Sequence, residues 1–293
     1  MNKRKHTFER EYSKFYLPSL VVIILMGFLP LILLFSMSFV KLSLGKPWAE
    51  AVFVGLENWK WLLTDPQRGI FNALKKTAIF CIGSVSLEFI LGIFTASLLY
   101  RRIRGAMAIT TMLIIPTVLT PSMVGMVWRL YFTNNSIIDY LFNFFLGLDI
   151  NWMSAKTAMI SLIWVSVWQY TPFWIVTLLA AMKLQPKAPF EAAIVDGASE
   201  WQQFRFITIP NIMPIIRLLV VLRFMQNIIG FDMIYALTGG GPGTVTEVLS
   251  IFIYRLNFFN KAVGPGAMSS FFMLMIIAVI SLILIKLLPS EEG

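Results

Sequence analysis

The hydrophobic pattern of the chain is six long runs from which charge is almost absent. They cover about residues 15–40, 77–100, 105–128, 157–182, 212–237 and 262–285. Four carry no charged side chain, the second holds Glu88, and the fifth holds Arg217, Arg223 and Asp232. Each exceeds the ~20 residues a helix needs to cross the hydrocarbon core. None shows the ~10-residue alternation of a barrel strand, so helices are expected. The pattern predicts an all-α, polytopic membrane protein with six transmembrane helices. It divides into a cytoplasmic N-terminal tail, 1–14, and a single transmembrane domain, 15–293, whose loop 183–211 returns to the side of the tail. The first run has 26 uncharged residues, longer than the ~7–15 of a signal-peptide core, and no small-x-small site follows it. It is expected to remain as an uncleaved helix.

Composition agrees. Of 293 residues, 58% are hydrophobic and 13% charged, and the mean hydropathy is +0.77. Soluble domains carry about 25% charged residues, so a single soluble core is excluded. The net charge of +9 does not point to nucleic acid. Five cations lie in the first 14 residues, and Arg101, Arg102 and Arg104 form a knot, so the basic residues flank apolar runs instead of forming a stripe. With the N-terminus inside, the inner segments hold 12 cations in 55 residues and the outer ones 10 in 94. The bias favours both termini in the cytoplasm, although Lys41, Lys46, Lys75 and Lys76 fall on the other side. Trp48, Trp59, Trp61 and Trp152 fit an outer interfacial belt.

The loop between the fourth and fifth runs differs from the others. Pro189 is placed to start a short helix, with Glu191, Ala192 and Ala193 as good helix formers and an acid near the positive end. Gly197, just after Asp196, ends that helix or permits close backbone approach. Ser199 and Gln202 form a capping box for a second helix toward Phe206, and Pro210 and Pro214 mark the start of the fifth run. The result is a helix–Gly–helix elbow, which suits a groove in a partner protein or serves as a re-entrant connection.

This elbow resembles the EAA loop of ATP-binding-cassette (ABC) importer permeases. Glu191-Ala192-Ala193, three residues, Gly197, nine residues, then Ile207-x-Ile209-Pro210 follows the family pattern, with Ile209 where the family has Leu. Phe190-Glu-Ala-Ala-Ile-Val-Asp-Gly-Ala198 is similar to the carbohydrate-uptake branch. Tyr235-Ala-Leu-Thr-Gly-Gly-Gly-Pro-Gly-Thr-Val-Thr-Glu247 is similar to the segment after the fifth span of its maltose-permease F-like and glycerol-phosphate-permease A-like subunits. The resemblance runs from about Leu17 to Leu287, without the large extracytoplasmic insertion of some maltose-type subunits. It implies a type I importer permease in a bacterial or archaeal cytoplasmic membrane. The implied partners are a second homologous permease subunit, two ATPase subunits, an extracytoplasmic solute-binding protein, membrane lipid and a carbohydrate. It also implies that ATP and Mg are bound by the ATPases, that this chain holds no cofactor, and that Glu191, Ala192, Ala193, Asp196 and Gly197 meet the ATPase.

Two helical faces carry polar groups inside the runs. Ser166, Gln169, Tyr170 and Phe173 share one face of the fourth, at i, i+3, i+4 and i+7. Arg223, Gln226, Asn227 and Gly230 repeat that spacing in the fifth. Such faces either hold helices together or line a substrate path. Their hydroxyl, amide and aromatic groups suit a sugar, and their distance from the elbow resembles that of maltose-type sugar contacts. Arg223, nine residues past Pro214, lies roughly 14 Å along the helix. Facing lipid it would cost at least ~2.5–3.5 kcal/mol. Glu88, midway along its run, has the same difficulty, and it can pair with Arg223 or Arg217 or meet substrate. Arg217, near the inner end, can also snorkel.

Other chemistry is thin. His6 is the single histidine and Cys81 the single cysteine, so zinc sites and histidine triads have no material. No Walker A motif occurs. A stand-alone secondary transporter or channel is the alternative, and it leaves the elbow without a task. An intramembrane enzyme would need Glu88 and Asp232 to meet, which their positions at midspan and near the outer end disfavour.

Overall fold

The computed structural model describes residues 2–64, 69–101, 105–133, 136–147 and 150–286. Arg102 and Arg104 of the basic knot lie outside these residues. Two compact units divide the chain, one made of residues 1–70 and 253–276, the other of 71–252 and 277–293.

In the first unit, α1 (Asn2–Met37) begins well before the apolar run, because the charged segment 2–14 is built of helix-compatible residues and holds no proline. Its apolar part, Pro18–Met37, has mean hydropathy 2.8, and none of it is buried within the chain. The helix ends at Ser38, whose hydroxyl donates to the Phe35 carbonyl at 2.6 Å. Two short strands follow, β1 (Val40–Lys41) and β2 (Val52–Phe53), paired antiparallel. The buried Asn58 of α2 (Glu57–Thr64) donates to both the Ser38 and Val40 carbonyls, at 2.9 and 3.0 Å, and so fixes the turn out of the membrane. Gly264 crosses this turn so closely that a Cβ there would lie 2.0 Å from the Val40 oxygen.

The second unit contains further long helices. α3 (Ile70–Tyr100) enters from the first unit, and α4 (Ala106–Val118) and α5 (Pro121–Tyr131) make up the third run. These two are bent by 94°. The bend has a local cause: Leu119 and Thr120 are extended, because the residue before Pro121 is pushed out of the α region. After α6 (Ile137–Leu146) come α7 (Ala158–Lys183) and α8 (Ala188–Val195). The elbow continues with α9 (Glu200–Gln203), a π-helical turn Phe204–Thr208 and α10 (Ile209–Ile229). The fifth run is then broken at Gly230, and Asp232 opens a separate helix, α11 (Asp232–Thr238). α12 (Leu249–Tyr254) spans the boundary at residue 252, and most of α13 (Val263–Lys286) belongs to the first unit. Among the described residues, five helices are long and apolar enough to span a membrane, and six if α4–α5 counts as one span.

The core of this unit joins α3, α7 and α10 through residues including Ala96, Leu99, Trp174, Leu178, Met182, Ile212 and Leu219. Gly92 lets α3 approach α7, since a Cβ there would meet the Trp174 Cβ at 2.5 Å.

Candidate functional site

The polar residues of the long runs converge on one knot inside the second unit. Glu88 is fully buried and Arg223 is 1% exposed. The guanidinium meets the carboxylate two-pronged, Nε donating to Oε2 at 2.8 Å and Nη2 to Oε1 at 2.9 Å. Trp174 Nε1 and Ser166 Oγ each donate to the same carboxylate at 3.1 Å. Arg223 also donates to Gln226 Oε1 at 2.7 Å and Asn227 Oδ1 at 3.2 Å. Asn227 in turn donates to Ser84 Oγ at 2.8 Å. The guanidinium lies 3.7 Å from the centre of the Tyr170 ring, a cation–π contact. A buried pair is tolerable when its remaining donors and acceptors are satisfied, and most of them are here.

Of the two polar faces, Ser166, Gln169, Arg223 and Asn227 are buried, Tyr170, Phe173 and Gly230 are partly exposed, and Gln226 is exposed. Gln169 has a structural task. Its Nε2 donates to Leu119 O at 3.0 Å, and its own carbonyl accepts from Thr117 Oγ1 at 2.9 Å, so α7 clamps the α4–α5 bend. Glu88 meets Arg223, whereas Arg217, six residues earlier on α10, is half-buried and outside the knot. Ser84 and Trp174 were not singled out from the sequence. The signal was there, because Ser84 lies one helical turn before Glu88 and Trp174 one turn after Tyr170.

The elbow is built from its caps. Pro189 starts α8, and Asp196 ends it. Gly197 then takes φ +77°, where a side chain is strained, although a Cβ would touch nothing in this chain. The Ser199–Gln202 capping box is formed on both sides, at 3.3 and 2.7 Å. The second helix does not stop near Phe206. Pro210 has no N–H to donate to the Phe206 carbonyl, and the backbone passes this point as a π turn, with the Ile209 N–H donating to Phe204 O. The elbow therefore runs without a break into α10. Glu191, Ala192, Asp196 and Gly197 are exposed, and so are Ile194 and Val195, at 63% and 87%. Behind the elbow lies an apolar groove of about 1030 Å³, lined by Phe94, Leu98, Met182, Phe190 and Trp201, with Arg101 bonded to Glu200 at 2.8 Å.

The long apolar helices, with the bent α4–α5 pair among them, define a polytopic membrane protein. Residues 88–289 match the family of binding-protein-dependent transport system inner membrane components, and the chain belongs to it. It is therefore a multi-pass inner-membrane permease of a binding-protein-dependent importer. It is similar to a probable ABC transporter permease, y4oQ, of Sinorhizobium fredii, 34% identical over 83% of this chain and 79% of the relative. It is 32% identical to the trehalose/maltose permease MalF of Thermococcus litoralis, over 83% and 81%. The probable starch-degradation-product permease AmyD of Thermoanaerobacterium thermosulfurigenes is 28% identical over 96% and 94%. In fold it matches a solved bacterial ABC transporter involved in alginate import, with TM-score 0.80, 21% identity and 98% of both chains covered. The fold is that of a type I ABC importer permease.

Proposed function

We propose that the chain is the translocation subunit of an ATP-driven importer of a carbohydrate, an oligosaccharide, with both termini in the cytoplasm. The relatives named for trehalose, maltose and starch products support the substrate class. A second homologous permease subunit completes the pore, a solute-binding protein delivers the sugar, and two ATPase subunits bind ATP and Mg and hydrolyse the ATP. The observation that carries this reading is the elbow, exposed along α8 and, after the Gly197 turn, continuously helical from α9 into α10. Glu191, Ala192, Ala193, Asp196 and Gly197 dock into the ATPase, and closure of the ATPase dimer tilts α10. Tyr170, Phe173, Gln226 and Gly230 face the sugar, and the buried Ser166, Gln169, Arg223 and Asn227 hold them in place.

The test is reconstitution of the assembled importer in liposomes. Gly197→Asp and Gly197→Asn both tolerate the left-handed backbone better than most residues, and they differ in charge. Both are expected to abolish sugar-stimulated ATP hydrolysis if the contact is tight. Unchanged stimulation in both, or full-rate transport by this chain alone, would refute the coupling reading.

A further inference from the structure

At the far end of α10 from the elbow, a second cavity lies between α5 and α11. Its volume is about 500 Å³, and its lining includes Ser122, Met126, Arg129, Phe231, Asp232 and Tyr235. The two helices meet backbone to backbone. A Cβ at Gly125 would lie 2.6 Å from Met233 O and 2.8 Å from the Ala236 Cβ, so glycine alone allows this approach and the cavity is set before any ligand arrives. On α5, Ser122, Met126 and Arg129 fall on the turns either side of Gly125. On α11, Asp232 and Tyr235 share a face, and the Phe231 and Tyr235 rings stack at 5.0 Å with 16° between planes.

The charges have a simple local explanation taken singly. Arg129 lies in the last turn of α5 and Asp232 in the first turn of α11, where each helix dipole favours it. The dipoles do not explain why both ends open onto one cavity beside a stacked aromatic pair. Both charged side chains are exposed, and no ion pair among the described residues joins them. A carboxylate, a guanidinium, a hydroxyl and an aromatic plate are what a sugar ring requires. The carboxylate accepts from neighbouring hydroxyls, the guanidinium donates to ring and hydroxyl oxygens, and the aromatic plate covers the C–H face.

We propose that this cavity is an outer saccharide subsite, which holds one ring of an oligosaccharide beyond the Tyr170–Gln226 surface. Asp232 lies six residues past the exposed Gln226, so the cavity follows the Tyr170–Gln226 surface along the chain toward the end of α10 far from the elbow. The subsite rests on the carbohydrate reading above.

The experiment uses the assembled importer in liposomes, with its binding protein, and a mixture of neutral and acidic oligosaccharides released from plant and algal polysaccharides. Mass spectrometry of the lumen identifies what is imported. For the imported oligosaccharide, Tyr235→Ala and Asp232→Asn are each expected to raise the half-saturating concentration at least tenfold, with the maximal rate within twofold. Tyr235→Phe should restore most of the loss. Half-saturation within twofold of wild type in both variants overturns the subsite and leaves the carbohydrate reading standing. Import of none of the mixture by the wild type overturns both. Loss of the second permease subunit on purification of Tyr235→Ala would also overturn the subsite, by marking the cavity as a seam between subunits.

Discussion

Replacement of Arg223 by leucine tests the central knot most directly. Glu88 is fully buried and accepts two of its four hydrogen bonds from Arg223. In Arg223→Leu the carboxylate keeps only Trp174 and Ser166, with no counter-charge. Breaking a buried pair from one side costs about 3–5 kcal/mol. At about 2–4 °C per kcal/mol for 150–250 residues, the expected fall in Tm is about 6–20 °C. Glu88→Gln is expected to cost a similar amount, because it leaves the buried Arg223 guanidinium without a counter-charge and turns an amide N–H2 toward groups that donate to the carboxylate. Combining Glu88→Gln with Arg223→Leu removes both buried charges, and the double variant is expected to be far more stable than the sum of the single changes. The assay is thermal unfolding of the purified complex in detergent, followed by intrinsic fluorescence, with all four proteins under one condition. Singles that shift Tm by less than about 2 °C, or a double variant as unstable as the sum, would refute the reasoning.

Three further outcomes follow from close approaches and caps. Gly92→Ala places a methyl group on the Trp174 Cβ, a backbone-anchored atom, and should cost about 1–3 kcal/mol of stability, read as a lower Tm. Gly83→Ala meets only the flexible tip of Ile163 and should leave Tm nearly unchanged, so equal losses in the two variants would sink this distinction. Asn58→Asp removes both amide donors to the Ser38 and Val40 carbonyls and should cost about 1–3 kcal/mol, checked by the same melt. Gln169→Leu removes the donor to the Leu119 carbonyl at the α4–α5 bend and should cost about 1–3 kcal/mol, read by the same melt.

The large features of this fold were legible because lipid enforces them. Runs without charge must be helices there, and six such runs appear as five long helices and one bent pair. The elbow was legible because its caps are local: Pro189, Gly197 and the Ser199–Gln202 box act through their own backbone. What the pattern did not reveal depends on neighbours distant in sequence. Glu88 had two candidate partners, and only the packing of α3 on α10 brings it to Arg223. Ser166 and Gln169 read as a polar face, but their direction depends on α3 and on the bend after α4. The break at Gly230 was hidden inside an apolar run, because hydropathy averages over one residue with poor helix propensity.

The knot and the elbow also bear on each other. From Glu200 to Ile229 the backbone stays helical, interrupted only in hydrogen-bond pattern by the π turn that accommodates Pro210. Arg223 lies 23 residues along this rod, about 35 Å from Glu200 at helical rise. A load that reaches α9 is therefore delivered along this rod to a buried ion pair. At that point α10 is tied to α3 and α7 through Glu88, Ser84, Trp174 and Ser166, so a tilt of α10 must either carry both neighbours along or break charge-assisted bonds inside the bundle. The second course costs several kcal/mol, so under the proposed coupling the three helices move as one body. Relative motion is then confined to places where backbone ties are few, namely Gly230 above and the Gly197 hinge below. A substrate path bounded by Tyr170 and Gln226 would then open by displacement of this body against the second permease subunit, with its own internal geometry unchanged.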